Sequence, residues 1–220
     1  MILHMPMPQL SLCTSLAQLP RSALYDDASS PAPSPLQPEP PAQIAENVFL
    51  GDLAAAESPD ILATLGITHV LSVMNGHVAF PSPSLLPHLP PYQPLQRFQV
   101  PVQDHPFVEL ASHLPRTTAW IANALRDPHA RVLVHCVQGI SRSATVVAAY
   151  LMATAGLSPV AAVARVKELR GCANPNEGFR VQLLEYEQCL LKSRARDHYA
   201  HPHPHPHHAH PYRLGRGELR

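Results

Sequence analysis

Several things are scarce in this chain of 220 residues, and each scarcity removes a class of protein. Aromatic residues make up only 5% and the formal net charge is zero. A neutral balance gives no general pull toward nucleic acid or an anionic membrane, so neither is expected as a partner. No stretch of about 18 apolar residues occurs, so no transmembrane helix is expected. The opening Met1-Ile2-Leu3-His4-Met5-Pro6 is apolar, but it lacks a basic leader and is broken by proline, which argues against a secretory signal. Cysteine is limited to Cys13, Cys136, Cys172 and Cys189. Their spacing matches neither a disulfide framework nor a zinc site, so no metal and no cofactor is expected.

Proline, at 26 residues, is abundant and unevenly placed. Residues 1–42, with Ser30-Pro31-Ala32-Pro33-Ser34-Pro35, read as a disordered or polyproline segment. Residues 196–220 contain the alternation His201-Pro202-His203-Pro204-His205-Pro206-His207 and read as a low-complexity tail. Residues 43–195 between them are long enough for one domain with a sizeable core.

Within that domain, residues 131–152 organise the rest. Arg131 to His135 is a short β-branched run, as of a buried strand. Cys136 to Ser141 is a tight loop around Gly139, and an Ala-rich apolar run of helical length starts at Arg142. A strand feeding a helix through such a loop aims the free N–H groups of the first helical turn at the loop, where the helix dipole is positive. The result is an anion site with a cysteine at its mouth. A thiol beside a helix N-terminus and an arginine sheds its proton readily, so Cys136 is expected to act as a thiolate nucleophile.

The neighbouring residues fit phosphoryl transfer. The amides of Val137, Gln138, Gly139, Ile140, Ser141 and Arg142 are placed to hold three phosphoryl oxygens. The planar fork of Arg142 grips two oxygens, which an ammonium does less well. Gly139 lets the backbone approach the ligand. Ser143 is placed to donate to the cysteine sulfur and ease its departure. Charge stabilisation then comes from amides and Arg142 without a metal.

The pattern His135-Cys136-Val137-Gln138-Gly139-Ile140-Ser141-Arg142-Ser143 resembles the signature of cysteine-dependent protein tyrosine phosphatases. The continuation Ser143-Ala144-Thr145 with Ala149-Tyr150-Leu151-Met152 resembles the dual-specificity branch, over about residues 43–192. The resemblance implies hydrolysis of phosphotyrosine and phosphoserine/threonine on a phosphoprotein substrate. Val137, Gln138 and Ile140 stand where phosphoinositide phosphatases tend to carry lysines, which argues against a highly anionic head group. A phosphate-reading binding module with little turnover, and an enzyme acting on a non-protein phosphate, remain the alternatives.

With this motif in place, Asp104 is the candidate general acid. The leaving oxygen needs a proton, and Asp104 follows the strand-like run Arg97 to Val102 and precedes Cys136 by 32 residues, a separation similar to the family's. Asp127, before Pro128, reads instead as a helix stop. The resemblance implies that His135 tunes the thiolate from behind the loop. Asn174-Pro175-Asn176 with Gly178-Phe179 and Gln182-Leu183 resembles a further family segment, in which Asn176 caps the last helix or braces the loop under Cys136.

Elsewhere, strands are expected around Glu46-Asn47 and over 67–74, helices after Ser58-Pro59 and Ser158-Pro159, and an amphipathic helix over 110–125 with Trp120 and Ile121 in the core. The long proline-rich connection 75–96 is either a loop beside the pocket or a surface insertion. The expected architecture is a single α/β domain: a mixed, mainly parallel sheet flanked by helices, with a Cys-x5-Arg loop at a strand's C-terminal end. A catalytic thiolate needs a reducing compartment, hence cytosol or nucleus. The oligomeric state and a redox role for Cys172 are not legible in the sequence.

Overall fold

The structure, a computed structural model, describes residues 40–90 and 93–200. The expectations for the proline-rich start and the His-Pro repeat fall on 1–39 and 201–220, outside those residues. Five strands form one mixed sheet in the order β1-β2-β5-β3-β4. β1 (Ala42–Ala45) and β2 (Val48–Gly51) are antiparallel, joined by a turn in which Asn47 has φ +58°. β2, β5 (Val132–His135), β3 (His69–Val73) and β4 (Gln96–Val100) run parallel. This is the mixed, mainly parallel sheet that the sequence predicts, and all parallel strands end on the side where residue 135 meets the Cys136 loop.

The inner strands β2, β3 and β5 are largely apolar and buried on both faces, as strands covered on both sides must be, while the edge strand β4 exposes Gln96, Arg97 and Gln99. Successive side chains alternate between faces, and that alternation divides the interior in two. Val48, Leu50, Leu71, Val73, Val132 and Val134 belong to one cluster, with Leu114, Ile121, Val147, Met152, Phe179 and Leu183 from the helices. Phe49, Val70 and Leu133 face a second cluster, with Leu62, Ile67, Val78, Leu86 and Leu95. The connection 75–96 therefore covers one face of the sheet: it inserts Val78, Leu86 and Leu95 into that core. A short 3-10 turn at Pro83–Leu85 lies within it.

Among the described residues six α-helices flank the sheet: α1 (Leu53–Glu57), α2 (Pro59–Thr64), α3 (Leu114–Ala124), α4 (Arg142–Ala155), α5 (Pro159–Leu169) and α6 (Glu177–Ala200). Ser58 and Ser158 cap α2 and α5 as their Ser-Pro signals require, accepting from Ile61 N and Ala161 N. One helix was not expected, and two expectations are corrected. The five-residue α1 follows Gly51 directly, capped by Asp52 at Ala55 N. Trp120 is only half-buried and packs edge-on against His69 at 5.5 Å rather than entering the core. α6 continues to Ala200, past residue 195.

α4 is the central helix. Every residue from Arg142 to Ala149 is buried, as are Leu151 and Met152. A helix apolar all round has to be enclosed, and its alanines let the sheet and neighbouring helices come close. Gly156, at φ +68°, ends it in the left-handed conformation. Overpacking this helix should be costly. Ala148, fully buried, changed to Leu is expected to destabilise the domain by about 1–3 kcal/mol, read as a lower denaturant midpoint at unchanged slope.

Candidate active site

β5 ends at His135, and the chain turns through residues 136–141 before α4 starts at Arg142. Four carbonyls of this turn are held by donors from the surrounding scaffold. Cys136 O accepts from His135 Nδ1 at 3.2 Å, and Val137 O from Leu53 N at 3.2 Å. Gly139 O accepts from Arg170 Nε at 3.1 Å, and Ile140 O from Asn174 N at 2.8 Å. In a planar trans peptide the N–H points opposite to its carbonyl, and no cis peptide occurs among the described residues. The N–H groups of Val137, Gln138, Ile140 and Ser141 are therefore turned away from the scaffold, toward the inside of the loop. Concave runs of amides at a helix N-terminus are anion sites.

The thiol of Cys136, 1% exposed, lies within this loop. Its Sγ accepts from Gly139 N and from Ser143 Oγ, each at 3.2 Å. Both bonds use the sulfur as acceptor, the role a thiolate fills best. Gly139 is fixed for two reasons. Its φ is +68°, and a Cβ there would stand 2.5 Å from Gly51 O and 2.9 Å from Arg170 Nη2.

Arg142 is 9% exposed. Its Nη1 donates to Val102 O at 3.2 Å. Its Nε stands 3.5 Å from Asp104 Oδ2 as an ion pair, without the geometry of a hydrogen bond. A buried guanidinium with an uncommitted donor calls for an acceptor, and an oxyanion in the loop supplies one.

Asp104, on the segment after β4, is brought to the same place. Its Oδ1 accepts from Ser141 Oγ at 2.8 Å and from Asn176 Nδ2 at 2.9 Å. Asn176 also caps α6, accepting from Phe179 N at 2.9 Å, and its own N–H donates to Ser141 Oγ at 3.2 Å. One side chain thus caps the helix and holds the Asp104 carboxylate. Asp127 lies away from the loop, accepting from His129 N just beyond α3.

His135 touches the site through the backbone. Nε2 pairs with Ser72 Oγ at 2.7 Å, and Nδ1 with Cys136 O. A carbonyl only accepts, so Nδ1 carries the proton and Nε2 accepts from the Ser72 hydroxyl. Burial, opposed by the bond to Cys136 O, lowers its pKa to about 4, so the ring is neutral at pH 7.

Four contributors had no clear sequence signal. Arg170, 4% exposed, bonds Gly139 O and, through Nη1, Pro40 O at 3.1 Å. Ser72 Oγ donates to the His135 Nε2 that the Nδ1-protonated ring leaves as an acceptor. Gln182 accepts from Leu110 N and Ala111 N at 2.6 and 2.9 Å and donates to Val108 O at 2.8 Å. Gly178 meets the Pro106 carbonyl so closely that a Cβ there would overlap it. Gln182 and Gly178 stand in the quoted family segment, but what each touches emerges only in the fold.

Comparison with known proteins agrees with this geometry. Residues 48–189 match the family described as dual specificity phosphatase, catalytic domain. The chain belongs to the dual specificity phosphatase family. It is 37% identical to human dual specificity phosphatase 28 over 78% of its own length and 88% of that protein's. It is 36% identical to mouse dual specificity protein phosphatase 13B, over 70% and 76%. The rat dual specificity protein phosphatase 12 is 39% identical, but the chain spans only 40% of it. Among solved structures, human DUSP28 superposes with a TM-score of 0.60 at 37% identity, over 70% of this chain and 97% of that one. A mouse putative dual specificity phosphatase complexed with zinc tungstate gives 0.63 at 36% identity, over 75% and 97%. As a dual specificity phosphatase the chain is a protein phosphatase, a hydrolase.

Two predictions follow from this packing. Gly178→Ala pushes the Pro106 segment, and Asp104 with it, off α6. The variant should lose about tenfold or more in kcat, since misplacing a catalytic group by an ångström is costly, in a steady-state assay beside a melting curve that shows it folded. The second concerns acid. The unfolded chain protonates His135 near pH 6.5 while the folded one resists to about pH 4. Stability is therefore lost as pH falls through that window, by about 3 kcal/mol in all, and is unaffected above it. Denaturant titrations should show His135→Gln weaker than wild type at pH 7.5, with the gap narrowing by pH 4.5.

Proposed function

We propose that this phosphatase hydrolyses phosphotyrosine and phosphoserine/threonine monoesters of proteins through a cysteinyl-phosphate intermediate. The observation that carries the mechanism is the Cys136 sulfur, accepting from Gly139 N and Ser143 Oγ inside a loop whose carbonyls are held outward. The phosphoryl group lies in the loop with its equatorial oxygens on the inward amides and on Arg142. Cys136 Sγ attacks phosphorus, the P–S bond forms, and the bond to the leaving oxygen breaks. Asp104 gives that oxygen its proton.

Arrival of the phosphoryl group also frees the acid. In the empty loop Asp104 Oδ2 stands 3.5 Å from Arg142 Nε. A phosphoryl dianion takes over that guanidinium, leaving Asp104 held by Ser141 and Asn176 and turned to the leaving oxygen. In the second step water attacks phosphorus and passes a proton to Asp104. The P–S bond breaks, inorganic phosphate leaves, and Ser143 Oγ stabilises the released thiolate. A thiolate nucleophile suits a reducing compartment, and cytosol or nucleus is the compartment we propose.

The test is phosphate release from an aryl phosphate and from phosphotyrosine and phosphothreonine peptides, in chelator and reductant. Cys136→Ser should abolish turnover, and Asp104→Asn should lower kcat by about 10²–10⁴. Acid quenching of Asp104→Asn with labelled substrate should leave phosphate on Cys136. Turnover that survives Cys136→Ser would overturn the mechanism. Tight vanadate binding without turnover in the wild type would leave a phosphate-binding module.

A further inference from the structure

Phe107 is 92% exposed on the segment that carries Asp104. This exposure does not come from a loose backbone. Pro106 is packed against Gly178, and Val108 O, Leu110 N and Ala111 N are all bonded to Gln182 of α6. Inside the turn, Val108 N donates to His105 O at 3.0 Å and Phe107 N to His105 Nδ1 at 3.4 Å. The residues on both sides of Phe107 are thus fixed to the body of the domain while the ring stands in water. An aromatic ring presented on a pinned backbone meets a partner with little loss of backbone freedom, which favours its use as a contact.

Its place connects it to the chemistry. The Phe107 ring lies 5.4 Å from the ring of His105, the residue after Asp104. Three residues of chain put Phe107 no more than about 10 Å from Asp104. Asp104 in turn stands beside Arg142, Ser141 and Asn176, at the edge of the oxyanion loop. A substrate peptide in extended form covers the same distance in about three residues.

We propose that Phe107, flanked by the His105 ring, is a specificity-determining residue that packs against an aromatic or aliphatic side chain two or three residues from the phosphorylated one. This rests on the phosphoprotein reading above and deepens it. The partner is a phosphoprotein segment with an apolar residue at that spacing. A small aryl phosphate, which ends at the loop, does not reach the ring.

The experiment uses the full chain as wild type, Phe107→Ala and Phe107→Leu. Substrates are an aryl phosphate and phosphotyrosine peptides with Leu or Phe, or else Ser, at the second and third positions on either side. Wild type should favour the apolar peptides over the serine peptide. The ratio of kcat/KM on the apolar peptide to that on the aryl phosphate should fall about tenfold in Phe107→Ala, mostly through KM, as loss of one apolar contact predicts. Phe107→Leu should restore part of it. The same preference should appear in peptide affinities for Cys136→Ser protein with and without Phe107→Ala, which reads the contact even without turnover. Equal ratios and equal affinities in wild type and Phe107→Ala would overturn the proposal. So would a substitution that changes only the oligomeric mass, which would assign Phe107 to a contact between copies. Failure of the phosphatase reading shows differently, as absence of aryl phosphate turnover in the wild type.

Discussion

Everything in this site depends on which way four peptide planes face. An unliganded turn of amides converging on one point is unfavourable, because the dipoles repel and buried donors go without acceptors. Here each outward carbonyl is tied to a different part of the chain. The His135 ring holds one, the start of α1 another, Arg170 at the end of α5 a third, and the Asn174 backbone a fourth. No single element forms the loop; the folded domain does. Anion affinity is thus a property of the tertiary structure, although the residues that display it are contiguous in sequence.

The same logic explains the ring of polar groups behind the loop. Ser141 links Asp104 to the backbone of Asn176, and Asn176 caps α6 while holding the same carboxylate. α6 carries Gly178 and Gln182, which dock the segment bearing the acid. Cys136 and Asp104 come from segments 32 residues apart, yet one hydroxyl connects the loop of the first to the carboxylate of the second. Proximity of this kind lowers the entropy cost of catalysis before substrate arrives.

What was legible in the sequence follows from where the partners lie. Cys136, Arg142 and Ser143 stand in one strand-loop-helix unit, so their pattern is local and readable. Asp104 was readable from its spacing to that unit, and Ser58-Pro59 and Ser158-Pro159 from the chemistry of helix starts. Arg170 and Gln182 were not, because they bind backbone carbonyls and amides, which look alike at every position. The part played by Ser72 depends on the lateral pairing of β3 with β5, which periodicity does not reveal. Trp120 was misplaced because an apolar helix face predicts burial, whereas the sheet edge leaves that ring half-covered. The connection 75–96 hid its role because its apolar residues are spaced for neither helix nor strand.

Arg170 has one further consequence. Its guanidinium holds Gly139 O with one nitrogen and Pro40 O with another, so the point where the chain enters the domain and the wall of the oxyanion loop share a single cation. One side chain thus braces both, and truncating it would release the two carbonyls together.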